Sequence, residues 1–119
     1  MRVCIDLDKT LCTGHPYKDA VPMLEAKEFL SKLRADGHTI IIHTARGMGR
    51  SHGSVSKAIA LVGAITFSQL AEWGFEYDEL LFGKPAADCY IDDKAILLVS
   101  YAQVLEDMQT LNRSSLKGG

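Results

Sequence analysis

The chain has 119 residues, 47% of them hydrophobic and 24% charged, which is the make-up of one ordinary domain and excludes a disordered or fibrous protein. At this length the expected radius of gyration is roughly 13 to 14 Å, so a two-domain clamp within one chain is excluded, and a substrate must sit at the edge of one layered structure or between subunits. Thirteen basic and fifteen acidic residues give a formal charge of -2, which supplies no global field for nucleic acid or an anionic membrane.

Val3, Cys4 and Ile5 form a short apolar run that closes on Asp6 and predicts a first strand. Leu24, Phe29, Leu30 and Leu33 recur near helical spacing with charged residues between them, and Gly37 stands where that helix must stop. Residues 39–42, rich in β-branched side chains, predict a second strand that closes on His43 and Thr44. A strand, helix, strand order predicts parallel pairing. Residues 54–73 predict a second helix ended by Gly74, and residues 80–82 a third strand closed by Gly83 and Pro85. Cys89, Tyr90 and Ile91 predict a fourth strand ending at Asp92 and Asp93, and residues 96–99 a fifth. Ser100 is placed to cap a last helix with Val104, Leu105, Met108 and Leu111 on one face. The expectation is a three-layer α/β/α fold with a central parallel sheet over residues 1–113, followed by a flexible tail at 114–119.

Three cysteines, Cys4, Cys12 and Cys89, are odd in number and lack a C-x-x-C spacing, so neither a disulfide framework nor a zinc site is expected. No apolar stretch suits a signal peptide, and the longest uncharged run, 58–71, is short of the about 20 residues of a membrane span. A cytoplasmic protein is expected.

Polar residues collect where the predicted strands end: Asp6 and Asp8, then Thr44, then Lys84, then Asp92 and Asp93. In a parallel sheet these ends share one edge, the edge where ligands bind. The D-x-D-x-T run from Asp6 to Thr10, the Thr closing a second strand, Gly83-Lys84-Pro85 and the pair Asp92-Asp93, in that order, resemble the haloacid dehalogenase superfamily of phosphoryl-transfer enzymes. No stretch has room for that family's cap domain, so the likeness is to its capless branch, and in particular to small members linked with capsular and surface polysaccharide synthesis.

The resemblance implies that Asp6 is the nucleophile forming an aspartyl-phosphate and that Asp8 is the general acid and base. It implies that Thr44 and Lys84 bind the phosphoryl group, with Leu7, Asp8, Ala45 and Arg46 at the same subsite. Mg²⁺ would be held by Asp6, the main-chain carbonyl of Asp8, Asp92 and Asp93. The charges agree: four carboxylates repel a phosphate dianion, a divalent cation and Lys84 return three of those charges, and protonating one Asp makes the pocket neutral. Arg46, two residues past Thr44 in an acid-free stretch from Gly37 to Ala71, is expected to reach the substrate. Lys9 stands where many family members have Gly or Asn. Thr10 is expected to be architectural, and His43 a packed histidine.

The implied substrate is a small phosphorylated sugar or polyol. Three rivals stand beside the hydrolase. One is a phosphomutase or phosphotransferase using the same Asp6. Another is a receiver-like phosphoacceptor, disfavoured because Lys84-Pro85 precedes Asp92-Asp93. The last is a binding module. The run Ala58-Ile59-Ala60-Leu61-Val62-Gly63-Ala64-Ile65 is apolar on all sides of a helix, and capless relatives form oligomers whose neighbours cover the active site, so a homo-oligomer, dimer or tetramer, is expected.

Overall fold

The computed structural model describes the backbone of residues 1–118 and the side chains of residues 1–111. It divides into two compact units, Arg2–Ala87 and Asp88–Gly119 with Met1. The first unit holds β1 (Arg2–Asp6), a 3-10 turn at Tyr17–Asp19, α1 (Ala26–Ala35), β2 (Thr39–Thr44), α2 (Val55–Glu72) and β3 (Glu79–Phe82); the second holds α3 (Tyr101–Gly118). The expected α/β class with a parallel sheet is present: β1 pairs with β2, level from Arg2 and Thr39 to Asp6 and His43, and β2 pairs with β3, level from Ile41 and Glu79 to Thr44 and Phe82. This register brings the carboxyl ends of all three strands to one edge.

The core follows from the apolar periodicity. Phe29, Leu30 and Leu33 of α1 are buried together with Ile40 and Ile42 of β2, Ile5 of β1 and Leu70 of α2, each contributing about 1.5–3 kcal/mol by leaving water. Gly37 ends α1 in the left-handed region, where the Gly37 and His38 N–H groups donate to the carbonyls of Arg34 and Leu33. Ser54 caps α2 by accepting from the Lys57 N–H at 3.4 Å.

The fourth and fifth strands expected at 89–91 and 96–99 are not formed: the sheet among the described residues has three strands, and residues 87–100 carry no strand. Ile91 is 98% exposed, Leu97 82% and Val99 75%. A run of three or four apolar residues suits a strand only when a sheet edge is there to pair with it, and short runs do not specify that edge. Of the tail assigned to 114–119, the side chains and all of Gly119 lie outside the described residues. No helix among the described residues is long and apolar enough to cross a membrane.

Candidate active site at the carboxyl edge of the sheet

The turn after β1 is built on one carbonyl. Leu7 C=O accepts the N–H groups of Thr10 (3.2 Å), Leu11 (2.8 Å) and Cys12 (3.3 Å), and the Lys9 N–H returns to Cys12 C=O at 2.7 Å. Closing so tight a turn puts Lys9 at φ 66, in the left-handed region that Gly and Asn occupy at little cost. The turn sets Asp6 and Asp8 at the edge with the buried Leu7 side chain between them. Thr10, expected to bond the backbone of this turn, instead has its Oγ1 donate to the Asp6 carboxylate, to Oδ2 at 3.3 Å.

Across the edge, Lys84 Nζ lies 3.2 Å from Asp6 Oδ1. Lys84 is placed by its backbone, whose N–H donates to the carbonyl of Thr44 at 3.1 Å and so extends the β2–β3 ladder past the last strand residue. Thr44 is fully buried, and its hydroxyl oxygen accepts the Arg46 N–H at 3.0 Å. Ala45 is half-buried between them. His43 is half-buried beside Asp6, and burial, then the charge of Lys84, push its pKa below the ordinary imidazole value against the pull of Asp6.

Arg46 departs from expectation. Its side chain does not reach outward to a substrate; the residue is 1% exposed and turned onto Asp8. Nε donates to both Asp8 oxygens, at 3.2 and 3.0 Å, and Nη2 donates to Oδ1 at 3.0 Å. Nη1 donates to Thr66 Oγ1 at 3.2 Å and to Gln69 Oε1 at 2.6 Å, and the guanidinium carbon lies 4.7 Å from the centre of the Tyr17 ring. A guanidinium this deep is tolerable only because its donors meet oxygen and its face meets a ring. Tyr17, Thr66 and Gln69 were missed in the sequence. For Thr66 and Gln69 the one signal was a polar side chain at a buried position of the apolar stretch 58–71, and for Tyr17 there was none.

Cys12 completes this cluster. Its thiol lies 3.5 Å from Asp8 Oδ1, and burial, with the charge of Asp8 adding to it, pushes its pKa up to about 12. Asp92 and Asp93 belong to the second unit, where both are exposed. The Lys94 N–H donates to Asp92 at 2.8 Å, which, with smaller help from Asp93, holds the Asp92 carboxyl below the usual carboxylate range. Among the described residues no three His, Cys, Asp or Glu side chains are grouped so as to hold a metal ion. A shallow groove of about 430 Å³ runs between the 18–21 turn and the second half of α2, away from Asp6 and Lys84.

The fold and this edge define a small α/β protein whose parallel strands deliver an Asp–Lys pair, a buried Thr and an Arg-held Asp to their carboxyl ends. A crystal structure of a structural-genomics target from Vibrio cholerae has the same fold with a TM-score of 0.73, at 32% sequence identity over 90% of this chain and 98% of that one. The chain belongs to one family with that Vibrio cholerae protein. A crystal structure of D,D-heptose 1.7-bisphosphate phosphatase from B. bronchiseptica, complexed with magnesium and phosphate, aligns at 14% identity and a TM-score of 0.48 over 74% of this chain and 53% of that one. No protein-family model matches the chain, and no curated protein sequence matches it.

Proposed function

We propose that the chain is a Mg²⁺-dependent phosphomonoester hydrolase of the haloacid dehalogenase type, acting on a small phosphorylated sugar or polyol. The observation that carries the reading is the 3.2 Å pair of Asp6 and Lys84 at a parallel-sheet edge shared with Thr44 and Asp8. A carboxylate beside a cation and a hydroxyl suits attack on a phosphoryl group whose negative oxygens need the same cation.

In this reading an Asp6 oxygen attacks phosphorus, the bond from phosphorus to the ester oxygen breaks, and Asp8 gives its proton to the departing alkoxide. Water then attacks the aspartyl-phosphate, Asp8 takes a proton from it, and Asp6 leaves with the electron pair of its bond to phosphorus. Lys84 and Thr44 orient the phosphoryl oxygens. Arg46 holds both oxygens of Asp8 at rest, so each proton transfer requires Asp8 to release part of that fork. The donor set at the edge is hard oxygen, the Asp6 carboxylate and the Asp8 carbonyl, and it fits Mg²⁺, which takes one or two carboxylates and keeps several waters. Asp92 and Asp93 would add to it. When bound, the ion would offset repulsion between the carboxylate and the phosphate. Arg46 adds a positive charge to those of Mg²⁺ and Lys84, so with Asp8 protonated for its role as acid the four Asp side chains and the three cationic groups would leave the pocket at +1 to receive the phosphate dianion.

Phosphate release from a panel of phosphorylated sugars and polyols with Mg²⁺ tests the reading. Turnover should vanish in Asp6→Asn and fall by about 10²-fold or more in Lys84→Ala. Wild-type rates in Asp6→Asn, or full activity after exhaustive chelation, would end it.

A further inference from the structure

We infer that Thr66 and Gln69 of α2 are positioning residues for the proton donor: acting through Arg46, they turn Asp8 so that its Oδ2 gives the proton to the departing alkoxide. This role rests on the phosphatase reading.

A guanidinium carries five N–H donors in one plane, and each of the five in Arg46 has a partner. Nε is shared between Asp8 Oδ1 at 3.2 Å and Oδ2 at 3.0 Å, while Nη2 meets Asp8 Oδ1 at 3.0 Å and the Cys12 sulfur at 3.7 Å. Nη1 directs both of its hydrogens to α2, one to Thr66 Oγ1 at 3.2 Å and one to Gln69 Oε1 at 2.6 Å. One edge of the group therefore grips Asp8 while the far nitrogen is fastened to the helix. Thr66 and Gln69 stand three residues apart, which puts them on one face of α2, and both are buried. Each is held in turn: the Thr66 hydroxyl donates to the Val62 carbonyl at 2.7 Å, and the Gln69 amide nitrogen donates to the carbonyl of Tyr17. With five donors committed and both anchors held, the guanidinium has one orientation, and so has the carboxylate it grips.

That grip leaves the two oxygens of Asp8 unequal. Oδ1 accepts from Nε and Nη2 and faces the Cys12 thiol at 3.5 Å, whereas Oδ2 meets Nε alone. A carboxylate oxygen has about two lone-pair sites, so Oδ1 is filled and Oδ2 keeps one open. A proton can sit on Oδ2 without dismantling the fork, because Nε then turns wholly to Oδ1. As the bond from phosphorus to the ester oxygen breaks, its electron pair goes to that oxygen, which takes the proton from Oδ2. The pair of the broken O–H bond stays on Oδ2, and Nε is shared again, so the fork strengthens as the carboxylate charge forms. In the second step the attacking water returns a proton to the same oxygen. Stability alone does not account for the arrangement, since a buried arginine–carboxylate pair adds little net stability once both ions have left water, and apolar side chains could fill the same space.

The test uses the full chain with Mg²⁺ and two esters that differ in their need for the proton. p-Nitrophenyl phosphate releases a stable phenolate; the best alkyl ester of the sugar and polyol panel releases an alkoxide that must be protonated. Their kcat/KM values report the step that expels the leaving group. Thr66→Val keeps the shape and removes the hydroxyl, and it should lower kcat/KM about 10-fold or more for the alkyl ester but less than about 3-fold for the aryl ester. Inhibition by orthophosphate, which Lys84 and Thr44 bind, should not change. Thr66→Ser, which keeps the hydroxyl, should restore the alkyl rate. Gln69→Met should show the same split, and it decides the matter if Thr66→Val does not fold. Equal losses on the two esters, or a wild-type ratio between them in both variants, would overturn the role and leave the phosphatase reading standing. A wild type that hydrolyses neither ester would end that reading and the role with it.

Discussion

Arg46 is the residue on which the site's local order turns. Removing its guanidinium leaves Asp8 partly buried without its cation, and Thr66 and Gln69 facing a void. Arg46→Met should therefore lower unfolding free energy by about 3–5 kcal/mol, read by urea titration. Arg46→Lys should recover little of it, because a point charge cannot fork two carboxylate oxygens and reach Gln69 together. Cys12 gives a second prediction at this scale. Its thiol is pushed up to about 12 and stays protonated in the fold while an unfolded thiol ionises near 9. The folded state thus holds the extra proton between those values, and its stability should fall as pH rises through that window. The fall should be shallower in Cys12→Ala. Alkylation of the native protein at pH 8 should add mass at Cys4 and Cys89 and spare Cys12 until denaturant is present.

Among elements, the loop after β2 is fixed by its seat on α2. Gly47 has φ 77, and a Cβ there would lie 3.0 Å from Ala58 Cα and 3.1 Å from its carbonyl oxygen. Gly47→Ala combines left-handed strain with a backbone clash and should cost about 2–3 kcal/mol, while Gly49→Ala, with nothing within 4 Å, should stay within about 0.5 kcal/mol of wild type. Thermal unfolding of the two variants checks the contrast. Because Gly47 directly follows Arg46, its substitution should also loosen the grip on Asp8 and reduce turnover. Gly83 does the matching work after β3: at φ 99 its missing Cβ leaves room for Val55, which it would otherwise approach to 2.9 Å.

At the scale of the whole molecule, the apolar surplus on α2 bears on the homo-oligomer expected from the sequence. Ile59, Leu61 and Phe67 are 44%, 44% and 51% exposed, a surface that association with a second copy would take out of water. If copies associate there, the thermal midpoint should fall on dilution and fall further in Ile59→Asp. A dilution series read by calorimetry tests this, and a midpoint independent of concentration would speak against it.

Much of the first unit was legible in the sequence because local periodicity specifies it. The β-branched run closing on Thr44, the apolar spacing of Phe29, Leu30 and Leu33, and the stop at Gly37 act over a few residues, and each formed where expected. The meeting of Asp6 with Lys84 was legible too, since parallel strands bring their carboxyl ends to one edge whatever their order. Arg46 could not be read this way: whether an arginine two residues past a strand faces water or Asp8 depends on Tyr17, Thr66 and Gln69, which lie up to 29 positions away in sequence. The same holds for 89–91 and 96–99. Their composition determined that they are fit to be strands, but a strand is completed by a neighbour's hydrogen bonds, and only the tertiary structure decided that neither stretch joins the three-stranded sheet of the described residues.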